Sequence, residues 1–261
     1  MAYQSIVAAG LGLILLVSCK KNNTTEVPPD EPALPAYVIK SATHVASASV
    51  TYKYLYSFNA KAQATERQYF FPATATASSS SITYSYDVEG KLITTRNIST
   101  GNPNIYDEEY IYDLQDRLIT RKTFVNTNPS GTSIYTYNGN TVIEDYAGLV
   151  KYTATLDNAG NIIKKIAEFT SDPTQNYIEE WLDHDDKPII NEAPPSAGHL
   201  HSKNNFHKSK LTFTDWDKQA YNKIYDYQYT FNADGYVTES KQYDSGTGTL
   251  LLTITYELIK P

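Results

Sequence analysis

Cysteine is almost absent from this sequence, since Cys19 is the only one among 261 residues. A lone cysteine excludes an internal disulfide, so the stability of the folded part has to come from packing. Positive charge is also in deficit, and the formal net charge of −7 argues against a nucleic-acid partner. Long periodic runs of helix-forming residues are missing too, whereas 23 residues are Tyr, a residue that suits half-buried strands.

The N-terminal apolar run at residues 6–17 is too short to cross a membrane as a helix and has the length of a signal-peptide core. Ser18 and Cys19 follow it, and this arrangement resembles a lipobox, in which the cysteine is acylated and becomes the first mature residue. We therefore predict a lipoprotein signal peptide at residues 1–18 and lipid attachment at Cys19. Residues 1–5 contain no Lys or Arg, which leaves an atypical signal, a start further upstream, or an ordinary secretory signal with an incidental cysteine.

Residues 19–36 contain the predicted lipidated cysteine and a proline-rich tether, which reaches on the order of 50 Å if extended, at about 3.1 Å per residue. In Gram-negative lipoproteins the residue after the cysteine directs sorting, and an Asp there resembles an inner-membrane retention signal. Lys20 is at that position here, so we predict a lipid anchor in the outer membrane. Lys20 and Lys21 do not resemble the acidic signal that directs some lipoproteins to the cell surface, so the sequence leaves the face of that membrane open.

A short unit recurs through residues 37–261, which we assign to one domain of repeated hairpins. Its plainest copies are Tyr-Ser-Tyr-Asp-Val-Glu-Gly-Lys-Leu at residues 84–92 and Tyr-Ile-Tyr-Asp-Leu-Gln-Asp-Arg-Leu at residues 110–118. Asp favours the first position of a type I turn, and Gly three residues later supplies the positive φ of the bulge that follows. The motif therefore predicts a tight hairpin in each unit.

The turn also sets the pairing of the strands on either side of it. Its geometry predicts that Tyr86 faces Leu92 and that Tyr112 faces Leu118, both favourable cross-strand contacts. A weaker copy of the motif is centred on Asp183, which we predict to lie in a turn. Each unit then contains two strands of about eight residues, and the strands alternate apolar and polar side chains. The predicted fold is all-β, an antiparallel meander of about 14 to 16 strands in a strongly curved sheet or a barrel.

The unit Tyr-x-Tyr-Asp-x-x-Gly-x-Leu resembles the YD repeats of the RHS proteins. The order of the segments 185–188, 201–205, 211–216 and 227–237 is similar to that in a family of Gram-negative lipoproteins of unknown function, described as having a porin-like β-meander fold. This second resemblance covers about residues 50–258 and implies the fold, but it transfers no catalytic residues because that family has none assigned. In RHS proteins the repeats enclose a cargo, and this chain is too short to enclose much.

Two groups of side chains are candidate metal ligands. Asp183 and Asp185 could bind a hard cation, although the turn itself explains an Asp there and no calcium-loop spacing accompanies them. His199 and His201 could bind zinc from one face of an extended strand, with a solvated loop as the favoured alternative. Both histidines belong to residues 191–208, the longest stretch without a strand pattern, which we predict to be a long loop of functional importance or one that plugs a cavity. No cofactor is expected.

Tyrosine-rich strand faces could stack against a sugar ring, because Tyr combines a flat apolar face with a polar tip. Packing in the core is the favoured alternative. The candidate ligand-facing aromatics are Tyr84, Tyr86, Tyr110, Tyr112, Tyr227 and Tyr229.

The sequence contains no serine nucleophile elbow and no phosphate-binding loop, so we expect a protein that is not an enzyme. The leading interpretation is a non-catalytic envelope lipoprotein that binds a ligand or partner, either a glycan or a protein. The alternatives are a structural or assembly component of the envelope and a hydrolase that uses the acidic turns or the histidines. A transmembrane barrel is less favoured, because the returning strands carry charges, on both faces among them, at Arg96, Lys122, Lys164, Lys165 and Lys241.

Overall fold

A computed structural model of the chain describes residues 37–47, 49–189, 202–214 and 220–261. These residues form sixteen strands and a single-turn 3-10 helix at Pro173–Gln175. The strands are β1 Val38–Ser47, β2 Val50–Phe58, β3 Ala64–Phe70, β4 Ser80–Tyr86, β5 Leu92–Ser99, β6 Ile105–Tyr112, β7 Leu118–Val125, β8 Asn128–Asn138, β9 Thr141–Tyr146, β10 Val150–Leu156, β11 Ile162–Phe169, β12 Tyr177–Pro188, β13 Asn204–Thr214, β14 Ala220–Phe231, β15 Val237–Asp244 and β16 Leu250–Ile259.

The sheet is a closed barrel in which every strand pairs antiparallel with its neighbours in the chain. Closure comes from β1, which pairs with β16 so that Val38 lies opposite Ile259. The predicted all-β meander of about 14 to 16 strands is therefore confirmed, and of the two predicted forms the barrel is the one observed. Closing the sheet removes the unpaired edges that an open sheet of this width would expose.

The repeated Asp or Asn turns lie at one end of the barrel, which we call the turn rim. In the first of the plain copies, the Asp87 carboxylate accepts a hydrogen bond of 2.8 Å from the backbone N–H of Lys91. The predicted pairs follow from this geometry, since Tyr86 lies opposite Leu92 and Tyr112 lies opposite Leu118. The opposite end, which we call the connection rim, contains the loops that join one repeat unit to the next. Turns of the turn rim occupy residues 59–63, 87–91, 113–117, 157–161 and 232–236.

The prediction of a turn at Asp183 is wrong. This residue lies inside β12, where Leu182 pairs with Lys208 and His184 pairs with Phe206 on β13. Asp183 does adopt a positive φ of 57°, a conformation that Asp tolerates in turns, but the strand pairing continues on both sides of it. The prediction of a loop at residues 191–208 also extends too far towards the C-terminus, because β13 begins at Asn204.

The inside of the barrel changes character from one rim to the other. Side chains alternate along each strand, and those that face inward beside the turn rim form a buried core. Its members are Ala64, Tyr84, Leu92, Tyr110, Leu118, Tyr135 and Val142, with a second cluster of Ile39, Ala42 and Tyr56. Towards the connection rim the same inward-facing positions become polar. They include Arg67, Asn97, Glu108, Arg121 and Glu144.

The outward face of the wall carries charged residues in cross-strand pairs. Arg96 on β5 pairs with Asp107 on β6 at 2.8 Å, and Lys151 on β10 approaches Glu168 on β11 at 3.6 Å. Isoleucines share this face, for example Ile111, which is 41% exposed. Further pairs are Lys40–Glu257, Lys208–Asp226 and Lys210–Glu180. Charge is therefore distributed around the outer wall.

Candidate functional site

A cavity of about 260 Å³ lies against the inner face of β2 to β5, near the connection rim. Alternation along these four strands directs the lining side chains inward, because they share a face with buried Tyr56 and Tyr84. The cavity is just below the roughly 300–1,000 Å³ typical of pockets for drug-sized ligands, so it suits a group the size of one ring. Its lining consists of Tyr52, Tyr54, Arg67, Tyr69, Ser80, Ile82 and Asn97.

Arg67 is the charged group of this cavity. It lies on β3 between Tyr56 and Ile82 on the neighbouring strands, and its side chain is half-buried. The guanidinium carbon is 5.1 Å from the centre of the Tyr54 ring, which is the geometry of a cation–π contact. None of the carboxylates that the structure describes lies within salt-bridge distance of Arg67.

Tyrosine rings form the walls around Arg67. The centroid of Tyr54 is 5.9 Å from that of Tyr52 and 5.4 Å from that of Tyr69. On the other side of Tyr52 the ring of His44 stacks at 4.4 Å with an interplanar angle of 16°. These spacings are typical of favourable aromatic pairs, so the rings support one another in a fixed arrangement.

Asn97 supplies an amide to the same cavity. It lies opposite Ile82 on β4 and Tyr106 on β6. Its side-chain Oδ1 is buried without a hydrogen-bond partner within the described part of the chain. A buried amide oxygen without a partner costs free energy, so this group has capacity for a ligand hydroxyl or a water.

A separate network occupies the inner wall next to the cavity. Arg121 donates to Glu108 at 3.3 Å and to Glu144 at 2.7 Å, and Ser133 also donates to Glu144 at 2.6 Å. Tyr110 donates its hydroxyl to Glu108 as well. Burial, followed by the charge of Glu108, raises the pKa of Tyr110, so this hydroxyl stays protonated and serves as a donor. Glu108 is thus already neutralised by a cation other than Arg67.

The lining residues offer several kinds of contact to a small molecule. They provide one cation, several hydroxyls, an amide and flat apolar rings, whereas the described lining includes no carboxylate, histidine or cysteine. This cavity is therefore equipped to hold a small molecule by contact with rings and by hydrogen bonds.

The six tyrosines proposed as ligand-facing lie elsewhere, in the packed part of the wall. Tyr84 and Tyr110 are buried, at 8% and 6% exposure. Tyr86 donates its hydroxyl to the carbonyl oxygen of Ala64 at 2.7 Å, and Tyr229 does the same to that of Phe206. Tyr112 likewise bonds a backbone carbonyl, and Tyr227 bonds Ser209 and Gln242. These contacts correspond to the core alternative.

Of the candidate metal ligands, Asp183 and Asp185 are described by the structure, whereas His199 and His201 lie outside the described residues. Asp185 accepts hydrogen bonds from the Asn205 amide at 3.2 Å and from the backbone N–H of Lys187 at 2.9 Å. Within the ranges that the structure covers, no group of three or more His, Cys, Asp or Glu side chains is arranged to hold a metal ion.

The predicted lipid attachment at Cys19 and the signal peptide and tether at residues 1–36 also lie outside the described residues. Across the described ranges, no helix has the length and apolarity needed to cross a bilayer.

Sequence reasoning missed the residues of this cavity, although a signal for one of them exists. The strand after each turn is rich in polar residues, so Arg67 does not stand out in the sequence. However, Arg67 and Tyr69 are two residues apart and therefore share the face on which Tyr54 and Tyr56 lie across the ladder. A cation in the same phase as the inward-facing aromatics is the pattern that could have identified it.

Comparison with solved structures finds two described as porin-like proteins. The first, from Bacteroides vulgatus, has a TM-score of 0.46 and 12% identity, covering 84% of this chain and 98% of that chain. The second, from Bacteroides uniformis, has a TM-score of 0.40 and 14% identity, covering 88% of this chain and 100% of that chain. A crystal structure of TcdB2-TccC3-TEV matches with a TM-score of 0.31 and 14% identity over 79% of this chain, but over 13% of that much longer chain.

No family profile matches the chain, and neither does any curated protein. The resemblances to YD repeats and to the lipoprotein family therefore stay predictions. These structural similarities are too distant to transfer a function, so a function has to follow from the site itself.

Proposed function

We propose that this chain is a non-catalytic binding protein of the bacterial cell envelope, a barrel held at the outer membrane through a lipid on Cys19. Its ligand is a small molecule or the end of a larger one, such as a glycan. The single observation that supports binding is the cavity on the inner wall of β2 to β5, lined by Tyr52, Tyr54 and Tyr69. Rings of this kind offer a flat apolar surface with polar edges, which is what a sugar ring needs.

The position of the cavity is compatible with an anchor. The predicted tether joins the barrel at Tyr37, whose hydroxyl donates to Asp234 in a turn of the turn rim. The cavity lies near the connection rim, at the other end of the strands. The point of attachment and the binding site are therefore separate, so an anchor does not need to pass the ligand.

The outer wall supports a barrel that does not span the bilayer. A lipid-facing wall needs a continuous apolar band, and a charge at its midplane costs about 2–4 kcal/mol for Arg or Lys. Here the outward face carries cross-strand ion pairs, including Arg96–Asp107 and Lys151–Glu168. An aqueous surface with a lipid anchor accounts for these charges.

A binding screen with a blocked cavity tests the proposal. The full chain, carrying Cys19→Ala so that it is not lipidated, is screened by ligand-observed NMR against common monosaccharides, their acids, amino sugars and small aromatic acids. Ser80 lines the cavity, so Ser80→Trp fills it, whereas Ser85→Trp places the same ring on the exposed face of the same strand.

Binding by one of these probes that is lost in Ser80→Trp and kept in Ser85→Trp supports the proposal. No binding across the panel, or binding that Ser80→Trp leaves intact, contradicts it. Far-ultraviolet circular dichroism establishes that both variants keep the barrel.

A further inference from the structure

We infer that the cavity selects a ring-sized ligand bearing an oxyanion, either a carboxylate or a phosphate, which Arg67 binds. This inference rests on the proposed function and adds the chemical class of the ligand. It concerns Arg67, which faces inward and lines the cavity together with Tyr54 and Asn97.

The other arginines of the chain already have carboxylate partners. Arg96 pairs with Asp107 at 2.8 Å, and Arg117 pairs with Asp113 at 2.7 Å. Arg121 pairs with both Glu108 and Glu144. Arg67 differs from them because no carboxylate in the described ranges reaches it.

This difference matters because the chain as a whole is acidic, with a formal net charge of −7. The chain contains many carboxylates, yet Arg67, the arginine that lines the cavity, has none as a partner in the described ranges. A half-buried cation without a counter-ion has lost part of its hydration without gaining an ion pair. A ligand oxyanion supplies the missing partner, and the pair it forms is stronger inside the barrel than in bulk water.

The contacts of Arg67 are compatible with binding such a ligand. Its guanidinium carbon is 5.1 Å from the centre of the Tyr54 ring, which is a cation–π contact and uses none of the N–H groups as donors to a carboxylate. The N–H groups of a guanidinium point outward in its plane, in a fork that matches two oxygens of a carboxylate or phosphate. The contact with Tyr54 therefore holds the guanidinium at the cavity without supplying it with an anionic partner.

The remaining lining fits the rest of such a ligand. Tyr52, Tyr54 and Tyr69 form a cluster of three aromatic rings at the cavity, with centroid distances of 5.4 to 5.9 Å between them. Asn97 Oδ1 is buried without a partner in the described structure and can accept a hydrogen bond from a ligand hydroxyl. One cation, one acceptor and flat walls in a cavity of about 260 Å³ suit a single acidic sugar or a comparable aromatic acid.

The test compares anions with their neutral counterparts by isothermal titration calorimetry on the full chain carrying Cys19→Ala. The probes are glucuronate, glucose 6-phosphate and benzoate, with glucose and benzyl alcohol as the neutral members. We expect at least one anion to bind about tenfold or more tightly than its neutral counterpart, as one charged hydrogen-bonded contact provides. The glucuronate and glucose 6-phosphate arms distinguish a carboxylate from a phosphate ligand.

Two variants assign this preference to Arg67. Arg67→Gln should abolish the preference for the anion, whereas Arg96→Gln, which changes an arginine on the outer wall, should preserve it. If Arg67→Gln does not fold, the salt dependence of binding to the barrel with Arg67 in place is the test. Raising the salt from about 50 to about 500 mM NaCl should weaken binding of the anion much more than binding of the neutral member.

Equal binding of neutral and anionic probes, unchanged by salt and by Arg67→Gln, overturns the inference and leaves the proposed function standing. Binding of none of the probes, charged or neutral, overturns both. An anion preference that survives Arg67→Gln shows that another group carries the charge recognition, which also overturns the assignment.

Discussion

The hydroxyl of Tyr112 donates a hydrogen bond of 2.9 Å to the backbone carbonyl oxygen of Leu92, a residue of the preceding repeat unit. Leu92 begins the strand after one turn and Tyr112 ends the strand before the next turn, so the bond links one hairpin to the one before it. The same contact recurs where Tyr86 donates to Ala64 and Tyr137 donates to Leu118. Where the residue before the turn is Tyr, as in these three units, its hydroxyl therefore connects one unit to the next.

Removing one of these hydroxyls tests its contribution. Tyr112→Phe keeps the ring but removes the donor to Leu92, and we expect a loss of about 1 to 2 kcal/mol in the free energy of unfolding. Tyr106→Phe on the same strand is the control, because Tyr106 is 39% exposed and should change little. Urea denaturation followed by circular dichroism measures both. Equal effects of the two substitutions would show that the hydrogen bond from Tyr112 to Leu92 does not contribute to the free energy of unfolding.

The inner ion network should respond much more strongly than the pairs on the outer wall. Arg121→Met leaves Glu108 and Glu144 without their cation inside the barrel, at an expected cost of about 3 to 5 kcal/mol. Arg96→Met breaks an exposed pair with Asp107 and should cost less than about 1 kcal/mol.

Chemical denaturation of the two variants compares these costs. Adding Glu108→Gln and Glu144→Gln to Arg121→Met should recover most of the loss, because no uncompensated charge then remains. A triple variant as unstable as the single one would contradict this account.

Alkaline pH should unfold the barrel through its tyrosines. Burial is the main cause that raises the pKa of Tyr86 and of Tyr112 from 10.0 to about 12. Because the folded state holds these protons more tightly than the unfolded state, the stability they contribute is complete below pH 10 and is lost as the pH rises through about 12. Tyrosinate absorbance and circular dichroism, followed together, should show late ionisation that coincides with loss of strand signal. Ionisation of every tyrosine near pH 10 with the barrel intact would rule this out.

Substituting two glycines of the turn rim distinguishes the cost of backbone strain from the cost of side-chain crowding. Gly90 and Gly235 both have positive φ, 91° and 85°, so Ala at either position should cost about 1 to 2 kcal/mol. A Cβ on Gly90 would also lie 2.8 Å from the side-chain nitrogen of Gln63, whereas nothing lies within 4 Å at Gly235. We expect Gly90→Ala to be the more destabilising, and its excess should vanish in a Gln63→Ala background. Thermal unfolding of the four variants measures this, and equal costs at the two glycines would argue against crowding.

The charged outer wall predicts that the barrel dissolves in buffer without detergent. The chain with Cys19→Ala should remain in buffer without detergent, because charged pairs such as Lys208–Asp226 interrupt the apolar residues of the outward face. Ultracentrifugation with and without detergent checks this. Aggregation that only detergent relieves would favour a wall that faces lipid.

Local signals in the sequence were sufficient for the hairpins. An Asp at the first turn position and a residue able to adopt positive φ three places later set the loop, and the loop sets the register of Tyr86 with Leu92. Asp183 shows where such signals fail. An isolated Asp can take a positive φ inside a long strand, and what decides between turn and strand is pairing with β13, which comes from residues more than twenty positions away.

Closure and the binding cavity depend on relationships that no local pattern contains. Whether the meander ends as a curved sheet or a barrel is decided by β1 with β16, at opposite ends of the domain. Arg67 was hidden for a similar reason. Arg67 stands out because no carboxylate in the described fold lies near it. The sequence is rich in carboxylates and does not indicate which of them approach Arg67.

The pairing of β1 with β16 makes the order of synthesis matter. Lys40 and Glu257 are separated by 217 positions, so β1 is made first and keeps one open edge until the last strand arrives. Contacts over such separations form slowly, and an open edge is a site for pairing with another chain. The final strand, β16, thus closes the barrel. A chain that lacks β16 could not close the barrel, and β1 and β15 would each keep an unpaired edge that promotes aggregation.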